Sequence, residues 1–146
     1  MKSKFIDAYM DVAERFAQLS HAKRLQVGAI IVKDDRIISI GYNGMPTGWD
    51  NCCEHTVQHH ELGTCTTVSK TEVLHAETNA IAKLAKSGES GLGATMFVTH
   101  TPCIDCAKLV YQSGIATVYY KNKYRSTQGL EFLNKSGVEV IHHHKL

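Results

Sequence analysis

The sequence predicts an α/β protein: a three-layer α/β/α arrangement on a central mixed sheet of five strands. Three observations carry this expectation. The chain opens with an amphipathic helical period, two β-branched runs follow within a short span, and strands alternate with helices across the second half. Such alternation gives parallel strands with helices on the sheet faces.

Phe5, Ala8, Tyr9, Val12, Ala13, Phe16 and Leu19 recur at helical spacing over residues 4–19, so a helix with one apolar face is expected there. Residues 27–32 and 37–42 are apolar and β-branched, separated by Lys33, Asp34, Asp35 and Arg36, which predicts a β-hairpin. The stretch GYNGMPTGWDN then reads as a glycine-rich loop. Residues 52–71 show no clear period and are expected to be an irregular insertion. A helix is predicted over 75–87, ended by Gly88. A strand over 94–99, a helix over 104–112, a strand over 116–120, a helix over 127–135 and a strand over 138–141 complete the pattern. His142, His143 and His144 read as a solvated strand end.

The 146 residues suit one domain over 1–146, and 43% hydrophobic with 21% charged residues is ordinary globular usage. The formal charge is only +2 and the basic residues are scattered apart from groups such as Lys121, Lys123 and Arg125. A polynucleotide-binding surface usually carries a denser basic stripe, so a small ligand with one or a few phosphates is the expected partner. No apolar run approaches the roughly 18 residues that span a bilayer. The amphipathic, acid-bearing start does not resemble a signal peptide, so a soluble cytoplasmic protein is expected, in a cell or an infected host cell. Five cysteines clustered beside histidines point to metal binding rather than to a disulfide framework.

The chemistry concentrates in His75-Ala76-Glu77 and Pro102-Cys103-Ile104-Asp105-Cys106. A catalytic zinc takes three protein ligands and leaves a fourth position open, and one imidazole with two thiolates fits that requirement. Cysteines three apart sit on neighbouring sides of one helical turn, and a helix started by Pro102 would present both to one ion. His75, at the start of another helix, completes the set. Two thiolates offset the charge of the metal, so a neighbouring base is needed, and Glu77 is placed for it. A C-x-x-C pair alone could equally be a structural zinc knuckle or a redox pair. The two halves together form the H-x-E then P-C-x-x-C signature of zinc deaminases.

At this level the sequence resembles the deoxycytidylate deaminase family, within the cytidine deaminase-like superfamily of bacterial and phage members. The match is carried by QVGAIIV at 26–32, GYNGMPTG at 41–48, LHAETNAI at 74–81 and FVTHTPCIDCAKLVYQSGI at 97–115. The resemblance implies zinc-dependent hydrolysis of dCMP to dUMP and ammonia, supplying dUMP for thymidylate synthesis. It implies that Asn43 hydrogen-bonds the deoxyribose, that main chain beside Thr101 and Pro102 positions the cytosine ring, and that Tyr124 lies near sugar and phosphate. It further implies a homo-oligomer, a hexamer in many members. Regulation by dCTP and dTTP with Mg²⁺ on the triphosphate is implied too, through a glycine-rich effector loop that here holds Gly41, Asn43 and Gly44. In the 52–65 segment a second, structural zinc is expected on Cys52 and Cys65, with His59, His60 or His21 completing it; a plain loop with spare thiols is the other expectation. Deamination of cytidine or of a tRNA adenosine, and a non-catalytic zinc module, are the competing functions.

Overall fold

The computed structural model describes residues 1–144. The opening helix α1 spans Ser3–Ala17 and leads to β1, Gly28–Lys33, and β2, Arg36–Tyr42. Each strand extends one residue further toward the turn than its apolar run, because Lys33 pairs directly with Arg36 and only Asp34 and Asp35 form the turn. Both turn residues have positive φ, 53° and 58°, the geometry that tight hairpins demand and that aspartate tolerates better than most residues.

The expected irregular insertion is instead a second hairpin, β3 over Glu54–His59 and β4 over Thr64–Ser69, paired in continuous register from Glu54–Ser69 to His59–Thr64. Its Thr and Val content favours strands, but both faces are largely exposed, so no hydrophobic period marks it in the sequence. The remaining elements fall close to expectation: α2 Ala76–Ala85, β5 Thr95–His100, α3 Ile104–Gln112, β6 Thr117–Asn122, α4 Gln128–Lys135 and β7 Glu139–His142.

The five-stranded sheet has the order β2-β1-β5-β6-β7, antiparallel between β2, β1 and β5 and parallel from β5 to β7. Successive residues of β1 serve opposite layers, as strand geometry requires. Ile30 and Val32 join Met10 and Ala13 of α1 with Phe97 on one face. Ala29 and Ile31 join Ala76, Ala80, Ala107, Val110 and Leu133 of the other three helices on the opposite face. The molecule is therefore the three-layer α/β/α fold, with α1 alone on one side.

The C-terminal histidines are not a solvated end throughout. His143 is buried, and its Nε2 lies 2.7 Å from Asp7 Oδ1, tying the end of the sheet to α1. His142 stacks on Tyr120 with ring centroids 4.9 Å apart.

Two backbone approaches decide where helices begin. A Cβ on Gly41 would stand 2.3 Å from the Ala76 carbonyl oxygen, and one on Gly129 would stand 2.0 Å from that of Pro102. Both contacts are with backbone, which cannot swing aside. Gly129→Ala is therefore expected to lower unfolding free energy by about 1–3 kcal/mol through overpacking. Urea denaturation checks it, and a change within about 0.5 kcal/mol would mean that α4 can retreat without loss.

Candidate active site

In open α/β sheets, ligands bind outside the carboxyl ends of the strands. Here the carboxyl ends of β2, β5 and β6 and the amino end of β1 lie on one side, and a cleft of about 400 Å³ opens there. Its lining includes Asn43, His75, Glu77, Thr101, Cys103 and Tyr124.

His75 is the N-cap residue of α2, with φ −77° and ψ 153°, and makes no side-chain capping bond. Its imidazole is thus turned away from the helix. Cys103 caps α3 in the same extended conformation, and Cys106 lies three residues on, in the first turn. Pro102 does not start the helix as expected. It stands one residue ahead of the cap, where its fixed φ directs the chain into the turn.

The three donors converge. His75 Nδ1 lies 3.2 Å from Cys106 Sγ and 3.7 Å from Cys103 Sγ, and all three ligand atoms fall within 4.8 Å of one another. Donors at zinc bond lengths on two corners of a tetrahedron stand about 3.5 Å apart. One imidazole and two thiols at these separations fit zinc without rearrangement.

The electrostatics are divided between the thiols. Hydrogen bonding from Cys106, then from His75, pulls Cys103 down to about 4, while the bond to Cys103 and burial push Cys106 well above the ordinary thiol range. The hydrogen bond with Cys103 raises His75. Glu77 is only 5% exposed, and burial pushes its carboxyl up to about 7. A carboxyl poised there can both take and give a proton near neutral pH.

Other expected residues are placed with more nuance. Asn43 lines the cleft, but its Oδ1 accepts from Val27 N at 2.9 Å and its Nδ2 donates to Leu25 O at 2.8 Å. Its second N–H and one lone pair of Oδ1 remain for a ligand. Thr101 is buried, and its Oγ1 accepts from Tyr124 N at 2.8 Å, so it holds the segment after β6 against the cleft. Tyr124 lies on the rim, 41% exposed. Pro102 is buried behind the wall and does not line the cleft.

Gly41 and Gly44 are also absent from the lining. Gly41 meets α2, and Gly44 pairs with Leu74 in an isolated bridge.

The structure does not bring the expected second zinc ligands together. Among the described residues the metal-binding group is His75, Cys103 and Cys106 alone. Cys65 sits in β4 opposite Gln58, Cys52 precedes β3, and His59 is engaged with Thr66 Oγ1 at 2.8 Å. His60 lies in the hairpin turn. Backbone pairing of β3 with β4 gives this segment its shape.

Three cleft residues were not singled out from the sequence as ligand-binding: Arg24, Lys70 and Arg125. They lie in three separate segments and form no run of charge. Only their spatial meeting makes a basic rim.

The fold and the metal-binding group define a zinc-dependent deaminase. The chain belongs to the cytidine and deoxycytidylate deaminase zinc-binding family, whose model matches residues 3–122. It is similar to the deoxycytidylate deaminase of Enterobacteria phage T4, 34% identical over 167 aligned positions that cover 90% of this chain and 86% of that protein. It is 38% identical to ComE operon protein 2 of Bacillus subtilis (strain 168), over 90% of this chain and 67% of that protein. The crystal structure of dCMP deaminase from the cyanophage S-TIM5, in complex with dCMP and dUMP, superposes with a TM-score of 0.88 at 46% identity, covering 98% and 99% of the two chains. Among the described residues, no helix is long and apolar enough to cross a membrane.

Zinc bound by these three donors would displace the thiol proton that the hydrogen bond to Cys103 and burial favour on Cys106. Titration calorimetry at pH 7 in buffers of different ionisation enthalpy is expected to show release of about one proton or more per zinc. Affinity is expected to fall as acid protonates His75. Binding without proton release and without pH dependence would contradict this donor set.

Proposed function

We propose that this protein hydrolyses dCMP to dUMP and ammonia. The observation that carries the reading is the joint placement of the His75, Cys103 and Cys106 group with Glu77 at one cleft and of Arg24, Lys70 and Arg125 around it. The named activity of the phage relatives supports the same substrate.

Zinc held by His75, Cys103 and Cys106 supplies the Lewis acidity that makes water nucleophilic near neutral pH. Glu77 takes a proton from that water as its oxygen adds to C4 of cytosine, and passes the proton to N3. The tetrahedral carbon then expels the amine. Glu77 carries the second water proton to the departing nitrogen, the C4–N bond breaks, and the carbonyl of dUMP forms. One carboxyl serves both transfers, which suits a group held near 7 by burial.

Asn43 offers its remaining N–H to the sugar, and the Thr101 main chain and Tyr124 bound the base and sugar. The basic rim takes the 5′-phosphate through charge-assisted hydrogen bonds. Binding energy from the phosphate, remote from C4, orients the base over the reacting water. Two apolar cores on opposite faces of one sheet support a single domain. Assembly as a homo-oligomer and control by dCTP and dTTP rest on the family resemblance and belong to the same proposal.

Glu77→Gln keeps the shape of the side chain and removes the base. Turnover is expected to fall by at least about 10²-fold while zinc content is retained. Steady-state kinetics with metal analysis measures both, and near wild-type activity would overturn the proton-transfer role.

A panel of dCMP, deoxycytidine, cytidine and a tRNA anticodon stem tests the substrate. The expected order places dCMP first, with kcat/KM for deoxycytidine lower by about 10²-fold or more. Equal values for dCMP and deoxycytidine would refute the monophosphate reading.

A further inference from the structure

Glu54 is a buried carboxylate that the reaction does not use. It is 7% exposed, at the first position of β3, and both its oxygens accept one backbone N–H, that of Lys23, at 2.6 and 3.3 Å. No salt bridge among the described residues includes it. Burying a carboxylate without a cationic partner is unfavourable, so its use to grip a single main-chain donor calls for a geometric reason.

The reason lies in what stands on either side. Lys23 precedes Arg24, a cleft residue, and the next anchors along this segment are the Asn43 bonds to Leu25 O and Val27 N. Arg24 is thus held between two clamps, Glu54 before it and Asn43 after it. At the other end, Glu54 pairs with Ser69 across the hairpin, and Lys70 N donates to Cys53 O at 2.7 Å. Ser69 and Lys70 also line the cleft. A two-stranded hairpin is marginal in water by itself, so its base needs such a tie to the body.

We infer that Glu54 is a positioning residue for anion recognition: by joining the Lys23 main chain to the root of the β3–β4 hairpin, it sets Arg24 and Lys70 at the spacing that receives the substrate's phosphate. The inference rests on the monophosphate reading above. Glu54 touches neither the metal group nor the base, so its influence is confined to substrates that carry the anion.

The test uses the full-length, zinc-loaded enzyme and the variants Glu54→Ala and Glu54→Gln, each alone and with Arg24→Ala. Glutamine keeps the volume and one acceptor, and so provides a folded comparison should alanine prove unstable. For Glu54→Ala, kcat/KM for dCMP is expected to fall about tenfold or more, through KM, as befits a lost hydrogen bond to a charged group. Glutamine should give an intermediate loss. Activity on deoxycytidine should stay within about twofold of wild type, since that substrate makes no use of the rim. In the Arg24→Ala background, Glu54→Ala should cost clearly less than it does alone, because only Lys70 is left to position.

A wild-type enzyme indifferent to the phosphate would overturn the monophosphate reading and this inference with it. If wild type prefers dCMP, the Glu54 assignment alone falls under any of three results. These are equal losses on both substrates, no loss on either, or a loss that adds in full to that of Arg24→Ala.

Discussion

Everything at this site depends on two helix starts being pressed close to one another. His75 stands at the start of α2, and Cys103 and Cys106 at the start of α3, and a shared ion demands that their donor atoms meet within a few ångströms. Two contacts of bare backbone against backbone fix those starts: Gly41 lets β2 lie against the first turn of α2, and Gly129 lets α4 lie against Pro102 at the entry to α3. Side chains elsewhere in the core can be exchanged at modest cost if volume is kept, but a backbone contact has no rotamer to yield.

The same convergence explains the charges. Helix N-termini favour negative charge, and the site places both thiols and a carboxyl at two of them. Hydrogen bonding from Cys106 and then His75 draws Cys103 toward its thiolate form, while the bond to Cys103 and burial push Cys106 the other way. Glu77, the second residue of α2, is buried where it lines the cleft, and that burial raises its carboxyl to about 7 against the pull of the helix terminus. A base in open water at that position would be ionised and a weaker proton carrier at neutral pH.

The sheet, its helices and the metal group were legible in the sequence because each writes a local signature. Periods of 2 and 3.6 mark buried strands and helices, and H-x-E with P-C-x-x-C marks donors that share a helical turn. The features that were not legible have no local signature. The hairpin over Glu54–Ser69 buries almost nothing, so its pattern lacks alternation. Arg24, Lys70 and Arg125 are ordinary surface residues until the carboxyl ends of the strands bring their loops together. Asn43, expected on the sugar, spends half of its hydrogen-bonding capacity on Leu25 and Val27, since a Gly-flanked loop must secure its backbone neighbours before it can serve a ligand. His143, which looked like a polar tail, is buried because the chain continues past β7 beside α1 and finds Asp7 there.

These differences divide the site into a floor and a rim with distinct physical demands. The floor is built from buried helix starts, with Ala76 fully buried and Cys106 at 1% exposure, and it has one workable geometry. The rim is built from exposed segments before β1, after β4 and after β6; single side chains anchor the main chain of the first and the last, Glu54 on Lys23, Asn43 on Leu25 and Val27, and Thr101 on Tyr124, while Lys70 N donates to Cys53 O in the second. Loops held in this way tolerate substitution and insertion far better than packed helices do. Substrate preference can therefore change by altering an anchor or the residue beside it, while the His75, Cys103 and Cys106 donors and the Glu77 carboxyl stay where the two glycine contacts put them. A single chemistry on one rigid floor is in this way compatible with different substrates, and the side chain that selects among them need not touch the reacting base.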